Sequence, residues 1–260
     1  MPQMSANINY GTDLTQGIIV GGGGNPFLKP YRATGVDFNL EKYFGSKGYV
    51  ALQTFYKHMD RYIAGGQTEF DYSQFPPPAN PPSSSIGILY TDVNTKGGYI
   101  YGGELAGTLP FDIFSSAFDG FGLTGGLGYT KTKVKDFNGN YAEIPGYSKW
   151  VASLTGYYEK FGFNARGSMR YRSSFIGDFV LYSGGLERQQ VLAETIYDAQ
   201  LGYDFQPRSR LEGLSLYLQG QNLTNERQAT VNGVVSGDRD FIKYQTYGRR
   251  FLAGFTYKFR

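Results

Sequence analysis

The last stretch of the chain, from Tyr247 onward, reads YGRRFLAGFTYKFR. Phe251, Ala253, Phe255, Tyr257 and Phe259 fall on every second position, with Arg250, Leu252, Gly254, Thr256 and Lys258 between them. A strand turns successive side chains to opposite faces, so this stretch predicts one aromatic face and one mostly small or polar face. The same alternation recurs upstream. Val36, Phe38 and Leu40 interleave with Asp37, Asn39 and Glu41 up to Phe44. Phe121, Leu123, Leu127 and Tyr129 interleave with Gly122, Thr124, Gly126 and Thr130. Trp150, Ala152, Leu154 and Tyr158 mark a further strand. Phe161, Phe163, Ala165, Met169 and Tyr171 oppose Asn164, Arg166, Ser168, Arg170 and Arg172. Tyr197, Ala199, Leu201, Tyr203 and Phe205 oppose Asp198, Gln200 and Asp204. Leu214, Leu216 and Leu218 oppose Ser215, Tyr217, Gln219 and Gln221. Tyr49 to about Ile63 and Tyr99 to Leu109 complete nine expected strands.

One such strand fits a soluble core or a membrane wall equally well. Length and linkage separate the two. The expected strands run to roughly 10–14 residues, where soluble strands commonly have about 5–6 and a tilted membrane-crossing strand needs about 9–11. The links also alternate. Short ones fall near 45–48, 110–119, 160–161 and 206–212, and long ones near 64–96, 135–147, 173–192 and 226–246. Aromatic residues gather at strand ends: Tyr43, Phe44, Tyr129, Tyr158, Phe161, Phe205 and Phe259. Short turns on one side, long loops on the other and rings at both interfaces predict an all-β, transmembrane, antiparallel up-and-down β-barrel facing lipid. About nine strands is an odd number, which points to part of a larger barrel. Residues 1–30 read as an irregular, extracellular lead-in and 31–260 as the barrel portion. The run Gly21–Gly24 reads as a flexible loop, since no Lys-Ser/Thr and no helix follows to make a phosphate cradle.

Composition adjusts this picture only slightly. Mean hydropathy is −0.37, a soluble-looking value, but polar wall positions dilute the apolar ones in any barrel. Residues 1–20 lack the basic start and apolar centre of a signal peptide, so an exported chain of this sequence is expected to be a mature form or a fragment. The net charge of +3 is too small to argue for nucleic acid. With no Cys, the chain has neither disulfides nor thiolate metal sites.

Candidate chemistry is sparse. His58 is the single His and lacks the companions of a metal or nucleophilic site. Asp198 and Glu159 fall on the polar face, where solvated carboxylates are ordinary, and Glu104 likewise lacks a catalytic partner. Arg166, Arg170 and Arg172 form a basic ladder at a spacing of two on one face. It could attract an anionic solute, pair with carboxylates of a plug, or simply hydrate a lumen wall. Tyr72 and Phe75, beside the proline-rich PPPANPPSSS run, offer ring faces to a ligand if that loop is ordered. No enzyme and no cofactor are expected.

Several short segments resemble one family. Gly24-Asn25-Pro26-Phe27-Leu28-Lys29-Pro30 resembles the GNPxLxP segment of TonB-dependent outer-membrane receptors, with Tyr31 where an acidic residue is usual. Gly102-Gly103-Glu104-Leu105 resembles the family's G-V-E-L strand. Asn222-Leu223-Thr224-Asn225 resembles its N-L-T-(D/N) segment, and Tyr247-Gly248-Arg249 with Phe259 resembles its final strand. Leu252, Gly254, Tyr257 and Phe259 also match the C-terminal signal read by the barrel-assembly machinery. Met1-Pro2-Gln3-Met4 resembles an internal segment of the family, and Arg260 follows the Phe that normally ends it.

The resemblance implies the C-terminal half of such a receptor's barrel, in the outer membrane of a Gram-negative bacterium. It implies uptake of a scarce bulky nutrient, a siderophore, cobalamin or an oligosaccharide, energised by the TonB complex through a plug domain. The implied partners are outer-membrane lipid, the assembly machinery, TonB with the plug, and the small-molecule or oligosaccharide ligand. Two other functions stay open on the residues alone: a passive porin-like channel and a soluble glycan-binding β-sandwich.

Overall fold

A computed structural model describes residues 4, 6–45, 47–180, 186–232 and 241–259. Met1, Pro2, Gln3, Ser46 and Arg260 lie outside the described residues. Among the described residues the structure is all-β apart from short 3₁₀ turns such as Phe111–Ile113 and Ser116–Phe118. Its strands are β1 (Ile8–Asp13), β2 (Ile18–Gly23), β3 (Arg32–Phe44), β4 (Gly48–Asp71), β5 (Ile86–Pro110), β6 (Phe121–Lys135), β7 (Tyr141–Ala142) and β8 (Trp150–Lys160). There follow β9 (Phe163–Arg172), β10 (Phe175–Val180), β11 (Leu186–Val191), β12 (Glu194–Asp204), β13 (Leu214–Gln221), β14 (Arg227–Asn232), β15 (Phe241–Thr246) and β16 (Arg250–Tyr257). All nine strands expected from alternation are present, as β3, β4, β5, β6, β8, β9, β12, β13 and β16.

Contacts divide the chain into two units. One comprises residues 1–36, 56–100 and 132–143; the other comprises 37–55, 101–131 and 144–260.

In the second unit, β6, β8, β9, β12, β13 and β16 form an antiparallel meander whose register sorts the side chains completely. Leu127 lies opposite Ala152, Leu154 opposite Met169, Ala165 opposite Leu201, Leu201 opposite Leu218, and Leu216 opposite Phe255. On the other face, Thr124 lies opposite Thr155, Tyr157 opposite Arg166, Arg166 opposite Gln200, Gln200 opposite Gln219, and Gln221 opposite Arg250. A period of two kept in step through five pairings leaves one apolar and one polar face.

The apolar face is uncovered. Phe255 is 72 % exposed, Phe251 66 % and Leu218 52 %, so no second sheet lies over these rings as a sandwich would require. Ring rows mark both ends of this face. One contains Phe121 and Tyr158, with centroids 4.4 Å apart, then Phe163, Phe205 and Phe259. The other contains Tyr129 and Trp150 at 4.6 Å, then Tyr171, Tyr197 and Phe251. From β8 to β12 each row steps two residues along the register per strand, and it steps two more over the two pairings from β12 through β13 to β16, as a level belt does when strands are tilted. Along β6 the rows are eight residues apart, or about 26 Å of strand at ~3.3 Å per residue.

Packing on the polar face is close where large and small residues meet. Gly254 is opposite Tyr217, and a Cβ there would lie 2.4 Å from the Tyr217 hydroxyl, so the tyrosine lies flat over the glycine.

The long links are more structured than their sequence suggests. The stretches expected as loops at 173–192 and 226–246 contain a second sheet in the order β10-β11-β14-β15. Its β14 supplies two buried apolar side chains, Ala229 and Val231.

The first unit contains the larger departures from expectation. The stretch 1–30, expected to be irregular, contains two strands: β1 and β2 pair as a hairpin, and β2 adds in parallel to β5 through Val20, Gly21 and Gly22. The glycine run is extended strand, required by crowding. A Cβ on Gly21 would lie 2.3 Å from the Tyr72 hydroxyl. β4 and β5 reach 24 and 25 residues, far beyond the expected ends at Ile63 and Tyr99. Polar and charged residues at those ends hid the strands, because their alternation is not hydrophobic. Here the apolar side chains turn inward: Ile19, Leu89, Met59, Val134 and Tyr72 are all buried.

Candidate functional site

The polar face of the second unit holds the charged groups. On β9 the three arginines share that face, but each has its own partner. Arg166 is in close ion contact with Glu159. Arg170 donates from Nη2 to Asp198 Oδ2 at 3.0 Å. Arg172 donates from Nε to Ser148 Oγ at 3.0 Å, and its guanidinium lies 3.8 Å from the Phe175 ring centroid. The ladder is therefore three separate contacts, and the exposed pairs among them contribute little stability.

Asp198 is the better-placed group. Its side chain is 19 % exposed, and its second oxygen accepts the Asn222 amide N–H at 2.9 Å. Asn222 sits at φ 52°, a left-handed conformation that Asn tolerates better than most residues. Its Oδ1 accepts from the Glu226 N–H at 2.7 Å, and its Nδ2 donates to the carbonyls of Gly248 at 3.1 Å and Glu226 at 3.3 Å. The Glu226 carboxylate in turn accepts the Thr195 N–H at 3.0 Å. This corner ties β12 and β13 to the start of β16. It lines a cavity of about 290 Å³ with Arg170, Glu194, Asp198, Glu226, Tyr247 and Arg250. Sequence inspection singled out the N-L-T-N segment but not its role as a corner. Asp198, a strand residue, has no sequence signal linking it to Asn222.

A second cavity, of about 420 Å³, lies between the four-stranded sheet and the end of β9. Arg172, Phe175, Phe179, Gln189, Lys243 and Gln245 are among its lining residues. The Glu194 carboxylate lines it too, so the two cations are set among mixed charge, amides and rings.

In the first unit the expected ligand-loop aromatics are differently placed. Tyr72 is 2 % exposed and donates to the Ile88 carbonyl at 3.0 Å. Its ring packs with Tyr10, Phe70 and Phe75. Tyr72 therefore offers no open stacking face: its own chain covers it. Phe75 is half-buried in the same cluster. Beside it, the Asp71 carboxylate accepts from the Ser73 N–H and from the hydroxyls of Ser73 and Ser85. These bonds hold its pKa below the usual carboxylate value, the Ser73 backbone bond most of all. His58 lies 3.8 Å from Asp60, which also meets Arg32 at 3.3 Å, all at the surface. Among the described residues, no three or more carboxylate or imidazole groups converge on a metal-sized point.

The C-terminal motif residues divide between the faces. Leu252 and Gly254 lie on the polar face opposite Gln219 and Tyr217. Tyr257 and Phe259 pack edge to face at 4.9 Å, on the side of the belt.

A comparison with curated proteins gave no match. Among solved structures, the ferric enterobactin receptor of Pseudomonas aeruginosa, as a point mutant, superimposes with a TM-score of 0.65 at 18 % identity over 99 % of this chain. This chain spans 36 % of that receptor. Another mutant of the same receptor, in complex with enterobactin, gives 0.59 at 16 % identity, covering 96 % of this chain and 35 % of that one. The FrpB iron transporter of Neisseria meningitidis gives 0.50 at 14 % identity, covering 97 % and 36 %. At these identities the likeness speaks for the fold. The family described as TonB dependent receptor-like, beta-barrel matches residues 1–223. The two-faced meander with its ring belts is thus part of an outer-membrane barrel, and the chain belongs to the TonB-dependent receptor β-barrel family.

Proposed function

We propose that this chain forms part of the wall and outer rim of a receptor that imports a scarce, bulky nutrient, driven by the TonB complex through a plug domain. The carrying observation is the separation of faces in the second unit. An uncovered apolar side bounded by ring belts suits lipid, and a charged, hydrogen-bonded side suits a wet lumen. In this reading the long-link end is extracellular, residues 1–30 lie outside the membrane, and residues 31–260 continue into the barrel. Leu252, Gly254, Tyr257 and Phe259 would be read by the assembly machinery. Arg166, Arg170 and Arg172 would line the solute path or meet the plug. The fold likeness to a ferric enterobactin receptor favours a ferric chelate over cobalamin or an oligosaccharide.

The test is uptake of a radiolabelled ferric chelate by receptor-deficient cells producing the protein, with and without TonB. Uptake that requires TonB is expected. Passage of small solutes without TonB would instead identify a passive channel. Because the chain has no Cys, single cysteines placed in the links can be labelled from outside to fix the orientation.

A further inference from the structure

The cavity of about 420 Å³ at the end of β9 holds opposite charges that do not pair. Arg172 and Glu194 lie directly opposite each other on β9 and β12, where side chains of one face start about 5 Å apart at Cβ. Neither answers the other. Arg172 turns its Nε to Ser148 Oγ at 3.0 Å and lays its guanidinium 3.8 Å from the Phe175 ring centroid. Glu194 accepts at Oε2 from Gln228 Nε2 at 3.1 Å. Lys243, from β15, is the second cation of the lining. Among the described residues, none of Arg172, Glu194 and Lys243 forms an ion pair. Glu194 also lines the adjoining cavity of about 290 Å³, where Arg170 is held by Asp198 and Arg250 likewise forms no ion pair among the described residues.

We propose that this cavity binds a metal chelate of the amino-carboxylate class, with a free ammonium of the solute on Glu194 and its carboxylates on Arg172 and Lys243. This deepens the import reading above and rests on it. Opposite charges held apart in one cavity are complemented by a solute that carries both signs. A purely anionic chelate would bring its charge against Glu194, and a purely cationic one against Arg172 and Lys243. Arg172 commits its Nε to Ser148, which leaves the two Nη groups to meet a carboxylate in forked geometry. The volume lies within the range of about 300–1,000 Å³ usual for small-molecule sites, and Phe175 and Phe179 supply apolar lining for the chelate's carbon chain.

The probe is radiolabelled iron complexed by citrate joined through an amide to the side-chain nitrogen of lysine. This ligand carries carboxylates and a free α-ammonium, and acetylating that amine removes the positive charge alone. Equilibrium binding would be measured on outer membranes isolated from receptor-deficient cells that produce the full chain, in the absence of TonB. The free-amine complex should bind saturably and about tenfold more tightly than the acetylated one. Glu194→Gln should abolish that preference. Lys243→Gln should weaken both complexes about tenfold and keep the preference. If Glu194→Gln fails to insert, the preference of the unaltered chain and the loss in Lys243→Gln still decide. Equal binding of the two complexes, a preference that survives Glu194→Gln, or tighter binding of ferric enterobactin, which has no ammonium, would overturn the proposal. So would the absence of saturable binding. No uptake is involved, so failure here and failure of the transport reading are separate results.

Discussion

The two units of this chain follow opposite solvent rules. In the first, apolar residues are buried as in any water-soluble fold: Tyr72 at 2 % exposure, Val134 at 2 % and Ile19 at 4 %. In the six-strand meander of the second, the large apolar residues are the exposed ones, with Phe255 at 72 % and Leu201 at 48 %. Both are built of amphipathic strands. The first lets water wet its polar side and must cover its apolar side with protein. The second meets hydrocarbon on its apolar side, so coverage by protein is unnecessary there. An apolar strand position therefore has a meaning only once its surrounding solvent is known.

Substitutions can probe this contrast. The largest effect is expected for Tyr72→Ala, which empties a buried ring site and removes the hydroxyl's bond to the Ile88 carbonyl. A loss of about 3–5 kcal/mol in the first unit is expected, read as protease sensitivity of residues 64–97 with the meander still inserted. An equal loss throughout the chain would show that the units are not independent in stability.

Leu154→Arg places a cation midway between the belts on the apolar side of β8 and should cost about 2–4 kcal/mol in vesicle refolding titrations. Thr155→Arg, its neighbour on the polar face, should be nearly neutral. Equal costs would sink the assignment of faces. Asp198→Ala strands the Arg170 guanidinium and the Asn222 N–H at the corner. About 1–3 kcal/mol is expected, seen as faster hydrogen exchange at residues 222–226.

The smallest effect concerns pH. Asp71 has a lowered pKa because its ionised form accepts three hydrogen bonds. Its contribution is fully present above the unfolded carboxylate pKa of about 4 and is lost as pH falls through the folded value. Exchange at the Ser73 amide should accelerate in that acid range, and Asp71→Asn should remove the pH dependence.

Much of the meander was legible in the sequence because its strands alternate rings or leucines with polar residues over long runs. Their register was implicit: once Leu216 faces Phe255, a slip of one residue would put every side chain on the wrong face. The four-stranded sheet and the β1–β2 hairpin were less legible. Segments such as ERQQ and VGGG carry little hydrophobic alternation, and their strands are made by pairing partners distant in the chain. The same distance concealed the corner in which Asp198 caps Asn222, 24 residues away.

By itself, the sequence determined which residues share a strand face, where the rings fall along each strand, and that one face is too apolar to be left in water. Only the tertiary structure decided that Tyr72 is a buried strut and that the three arginines have separate partners. It also decided that Lys160 pairs with Asp119. Periodicity is a local property, fixed by backbone geometry at every residue. Burial and charge pairing depend on which strands meet, and that information is spread over the whole chain.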